Sequence, residues 1–134
     1  MSMSEPIVVE FIDSATNEKL TRRDLSNRRL LLLYKAFEIL GRQWDKKEKY
    51  REYPRPVRFV LYYIPRKYMR EYMVEFENFP SISWFVPADV ANRYSSEWLA
   101  RDLGNAIITR IKMHQSAPAG HCPIAQNPSQ IKTN

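Results

Sequence analysis

The chain alternates apolar runs with charged or proline-bearing breaks, and the spacing inside each run predicts an element. Ile7 to Ile12 reads IVVEFI, a β-branched run bounded by Pro6 and by Asp13-Ser14, and predicts a strand. After a polar stretch, Ser26 and Asn27 are N-cap candidates for a helix over about 27–43. At 100° per residue, Leu30, Leu33, Tyr34, Phe37, Leu40 and Trp44 share one side of it, and Leu32, Ala36 and Ile39 widen that side. A helix so apolar must bury against a sheet and something more, a second helix or another subunit.

Asp45 to Arg55 lacks apolar periodicity and runs into Tyr53-Pro54-Arg55-Pro56, which predicts a loop or arm with extended backbone. Val57 to Ile64 is β-branched and aromatic on both alternating faces and predicts an interior strand. The next segment fits two periods. Tyr68, Met69, Tyr72, Met73 and Phe76 suit a helix, whereas Tyr72, Val74 and Phe76 alternate with Glu75 and Glu77 as in a strand. A strand over about 70–77 is favoured because its neighbours would pair with it as a meander. Ser81 to Val86, between Pro80 and Pro87, predicts a further short strand.

Ser95 or Ser96 can cap a last helix over about 96–114, where Leu99, Leu103, Ile107 and Ile111 recur every four residues. Pro87 to Tyr94 suggests a short helical turn leading into it. From Ser116 the composition turns to Pro, Gly, Ser, Asn and Gln, so a mobile tail is expected. The expected fold is therefore α+β: an antiparallel sheet of about four strands with two main helices, in the order β-α-β-β-β-α. Residues 1–115 would form a single domain and 116–134 a flexible polar tail.

Length and composition agree with one domain: 134 residues, 44% hydrophobic and 13% aromatic, enough apolar surface for one core. Met1 to Pro6 lacks the flank and apolar run of a secretory signal, and the apolar run Leu30 to Tyr34 is far short of a membrane span. One cysteine, Cys122, closes no intramolecular disulfide, which suits a reducing, cytoplasmic compartment.

Charge changes the picture most. The net +6 is uneven: residues 42–70 hold ten basic side chains against three acidic ones, whereas residues 1–18 are purely acidic. Within Lys46 to Arg70 the cations are interleaved with Tyr50, Tyr53, Tyr62, Tyr63 and Tyr68. Cations neutralise phosphates and exposed rings stack on bases, so this stretch is the candidate nucleic-acid surface. Its expected contacts are Lys46, Lys47, Arg51, Tyr53, Arg55, Arg58, Tyr62, Arg66, Lys67 and Arg70. The competing reading places the strand tyrosines in the core and leaves the cations solvated. Arg22, Arg23, Arg28 and Arg29 form a second cluster, where a helix N-terminus opposes positive charge and an acidic partner would relieve the cost.

Familiar catalytic patterns are missing. Glycine stands only at 41, 104 and 120, which excludes a P-loop or a dinucleotide fingerprint. His114, His121 and Cys122 fall short of the four ligands of a closed zinc site. Glu75 and Glu77 lack a lysine or third carboxylate for a nuclease-like set, and Arg101 and Asp102 read as surface residues of an amphipathic helix. No enzyme, metal or cofactor is expected. The expectation is an accessory protein that binds nucleic acid, RNA or single-stranded, or an acidic protein surface. The alternative is an assembly subunit that self-associates as a homo-oligomer or docks on a larger complex.

Overall fold

The computed structural model describes residues 5–25, 28–64, 68–89 and 95–116. Strand β1 (Val8–Asp13) turns into a short β2 (Glu18–Leu20), followed by helix α1 (Arg28–Lys46), strands β3 (Pro56–Tyr63), β4 (Met69–Phe76) and β5 (Ile82–Pro87), and helix α2 (Ser96–Ser116). Short 3-10 turns lie at Arg22–Asp24 and Glu48–Tyr50. The α+β class and both helices match expectation. The antiparallel sheet of about four strands does not: the sheet has five, in the order β2-β1-β3-β4-β5, and β1 runs parallel to β3.

Both differences have local causes. The β1–β2 hairpin closes through Asp13, whose carboxylate accepts from Ala15 N at 2.9 Å, and through Asn17, which takes the left-handed conformation at φ 60°. Three polar-flanked residues, Glu18-Lys19-Leu20, suffice as an edge strand but give no hydrophobic alternation to read. The chain then returns along α1, and such a helical crossover sets β3 in the direction of β1. Residues 69–76 are a strand, paired antiparallel on both sides, so their alternation rather than their helical spacing describes them. Ser26, Asn27, residues 90–94 of the expected helical turn, and the tail beyond Ser116 lie outside the described residues.

Both helices cover one face of the sheet. Phe37 of α1 sits at the centre, its ring 5.4 Å from Phe59, 5.8 Å from Tyr72 and 6.3 Å from Phe11. α2 lays Leu99, Leu103, Ile107 and Ile111 into the same core, and Arg110 lies 4.9 Å over the ring of Trp84. The apolar breadth of α1 is thus satisfied inside the chain: one side faces the sheet, and Leu33 and Leu40 meet α2. Another subunit is not required for it.

Among the described residues, no helix lies on the opposite sheet face. Its central Val60 is fully buried, while Ile12, Tyr62 and Met73 are half-buried and Val8, Met69 and Phe85 exposed. A charge ladder crosses four strands on this face: Lys19 to Glu10 at 2.6 Å, Glu10 to Arg58, and Arg58 to Glu75 at 2.6 Å.

Candidate functional site

The described residues among the ten singled out from the sequence fall on different surfaces. Arg58 is spent in the ladder, where Glu75 and then Glu10 hold its guanidinium above the ordinary arginine value. Tyr62 lies in the next row of the same face, paired with Glu71, so the described ladder and row hold two cations against three carboxylates. Arg55 is clamped by Asp45 through a two-pronged pair at 2.8 and 2.9 Å and also donates to the Glu5 carbonyl. Tyr53 packs half-buried against the core.

Arg70 is buried on the helix-covered side of the sheet, 5.2 Å over the Tyr63 ring, and donates to the Ala88 carbonyl at 3.3 Å. The physical reason is strand parity: Arg70 shares the face of Tyr72, Val74 and Phe76, while Arg58 shares that of Val60 and Tyr62. Two arginines twelve residues apart in one basic stretch therefore emerge on opposite sides of the sheet. Arg66 and Lys67 lie outside the described residues.

What the fold does gather is a corner where α1 ends and α2 begins. Lys46 lines a separate cleft with Pro6, Val9 and Tyr34, and Arg51 is exposed on the turn after α1; Lys47 and Lys49 are exposed at the corner and form no ion pair with a described carboxylate. Two side chains outside the expected set join them from α2: Arg101, and Trp98, which is 55% exposed with the Arg101 guanidinium 5.3 Å from its ring centroid. Lys49 reaches Asn105 of α2 at 3.5 Å. Its ammonium is pulled below its usual value, first by burial and then by the charges of Lys47 and Arg101, so three cations converge here.

The corner is held from beneath. Tyr50, carried by the turn Glu48–Tyr50, stacks on Trp44 at 4.3 Å and 13° and is fully buried over Gly104 of α2. Ser95 caps α2, its hydroxyl accepting from Trp98 N at 3.3 Å, which sets the first turn that presents Trp98 and Arg101. A shallow cleft of about 220 Å³ results, lined by Gln43, Lys47, Glu97, Trp98 and Arg101.

One signal for it was present in the sequence: Trp98 falls off the Leu99, Leu103, Ile107, Ile111 stripe, and a tryptophan on the polar side of an amphipathic helix is unusual. The proximity of Arg101 to Lys47 and Lys49, over fifty residues away, had no local signal. Among the described residues, no three His, Cys, Asp and Glu side chains converge as a metal-ligand group, and no helix is long and apolar enough to cross a membrane.

Comparison with protein-family models, curated proteins and solved structures returns no match. The class defined by the fold is a two-layer α+β sandwich, two helices on one face of a mixed five-stranded sheet. Its candidate functional feature is the cationic, tryptophan-bearing corner.

Proposed function

We propose that this chain is a non-enzymatic nucleic-acid-binding protein that engages single-stranded segments through the corner formed by the end of α1, the Glu48–Tyr50 turn and the start of α2. The observation that carries this reading is the convergence of Lys47, Lys49 and Arg101 beside the exposed indole of Trp98. The cations neutralise successive phosphates and the indole supplies a stacking platform, the pairing that sequence-tolerant single-strand binders use. The α1 C-terminus favours cations as well, because its free carbonyls carry partial negative charge. Of the region first singled out, Lys47 belongs to this surface, while Arg55, Arg58 and Arg70 serve the fold.

Trp44 and Trp84 are buried, so Trp98 dominates any fluorescence change on binding. Titration with single-stranded and duplex oligonucleotides at two salt concentrations should show quenching, tighter binding to the single strand, and a log–log salt slope of about −3 if four phosphates are neutralised. Absence of binding at low salt refutes the reading.

A second reading, assembly through self-association, is favoured by the sheet face that no described helix covers, where Val8, Met69 and Phe85 are exposed. Light scattering tests it: a dimer dispersed by Phe85→Glu supports assembly, and a monomer at high concentration opposes it.

A further inference from the structure

Resting on the nucleic-acid reading above, we infer that the cleft beside Trp98 takes one guanine base of the bound strand, stacked on the indole, with Glu97 accepting from its Watson–Crick edge and Gln43 completing the contact. A surface that only tracks phosphates gains nothing from a carboxylate among its cations, since Glu97 repels the backbone that Lys47 and Arg101 attract. Yet Glu97 lines the same cleft as both of them, with Gln43 opposite on α1. A carboxylate has no donor and two acceptor oxygens. It pairs best with two adjacent donors, and among the four bases only guanine offers such a pair, the ring N1–H and the exocyclic amino group. Adenine and cytosine present one amino group beside a bare ring nitrogen, and thymine or uracil one ring N–H between two carbonyls.

The two roles are then separated in space. Trp98 and Arg101 face the base plane and phosphate, Lys47 and Lys49 extend the positive track along the end of α1, and Glu97 and Gln43 read the base edge. Glu97 also suits the first turn of α2, where negative charge complements the helix dipole. That role affects stability but not base selectivity, so selectivity is the quantity to measure.

The test uses the full chain and ten-residue oligothymidylates carrying a central dG, dA, dC or dT, with affinity read from Trp98 fluorescence at low salt. The central dG should bind about fivefold to a hundredfold more tightly than the others, the range of one good bidentate base contact. Glu97→Gln, at an exposed position, should abolish that ratio while leaving affinity for the all-dT strand equal or slightly improved. Equal binding of all four strands with Trp98 quenching overturns the guanine assignment and leaves the single-strand surface intact. A dG preference unchanged in Glu97→Gln overturns it too. No binding of any strand removes the nucleic-acid reading and this inference together, and points to an acidic protein as the partner.

Discussion

Substitution of Gly104 by Ala should destabilise the protein, although alanine is the better helix former. In a helix interior the exchange is worth about 1 kcal/mol in favour of alanine. A methyl placed at Gly104, however, lies 3.0 Å from Tyr50 Cζ and 3.1 Å from Leu40 Cδ1, and closer still to the Tyr50 hydroxyl oxygen. Tyr50 cannot withdraw easily, because its ring is stacked at 4.3 Å on Trp44 and both rings are buried. Overpacking of this kind costs about 1–3 kcal/mol, and the confined ring argues for the upper end, leaving a net loss of about 2 kcal/mol. That corresponds to a fall in Tm of about 8 °C for a domain of this size.

The Tyr50 hydroxyl supplies the control. It has no hydrogen-bond partner among the described residues, and burial pushes its pKa up. Tyr50→Phe should therefore be neutral or stabilising by about 1 kcal/mol. In the Tyr50→Phe background Gly104→Ala should cost less, giving a coupling of about 1 kcal/mol between two residues that touch. Urea denaturation followed by circular dichroism measures all four proteins of the cycle. A Gly104→Ala variant more stable than the parent, or strictly additive effects, would refute the packing argument. Since Tyr50 anchors the turn bearing Lys49, the single Gly104 variant should also bind oligonucleotide more weakly.

Other outcomes follow from the same geometry. Trp98→Ala should weaken single-strand binding by about fivefold to a hundredfold, the worth of one stacked base, with no change in the unfolding free energy from urea denaturation beyond about 0.5 kcal/mol. Lys47→Ala should make the log–log salt slope shallower by about 0.7, whereas Arg70→Ala should lower stability and leave the slope alone; a slope change with Arg70 would misplace the surface. Glu10 is held below the usual 4.5, first by its hydrogen bond from Lys19 and then by Arg58, and Asp45 below 3.8 by Arg55. Depressed carboxyl pKa values stabilise the fold above those figures, and the contribution is lost as pH falls through the lowered folded values. Arg58→Ala should cost about 1 kcal/mol at neutral pH, with the deficit shrinking in acid; a deficit constant down to acid unfolding would exclude the ion pair as its source. At the other extreme, burial raises Tyr72 to about 12, so its contribution is present below 10 and lost as pH rises toward 12. Tyr72→Phe should shift alkaline unfolding upward, and an unchanged midpoint would count against this.

Much of the fold was legible because its signals are local. The four-residue recurrence of Leu99, Leu103, Ile107 and Ile111 and the continuous breadth of α1 mark helices whatever they pack on. Proline and charge at the boundaries mark strands. The segment carrying Tyr72, Val74 and Phe76 was ambiguous in period, and pairing with β3 and β5 decided it. β2 was not legible, since three polar-flanked residues become a strand only when β1 offers a partner.

The candidate site divides the same way. Regional charge excess is a property of the chain, and it directed attention to the stretch that ends α1. Which of those cations face solvent is a property of strand parity and of partners brought from elsewhere: Asp45 takes Arg55, Glu10 and Glu75 take Arg58, and the core takes Arg70. By itself the sequence determined the class of fold, the two helices and the presence of a basic, ring-rich region, because propensity, periodicity and composition act over a few residues. Only the tertiary structure decided the parallel β1–β3 pair and set Trp98 and Arg101 beside Lys47 and Lys49. The first follows from the crossover through α1 and the second from helix packing across Gly104, contacts between distant segments that no local pattern encodes.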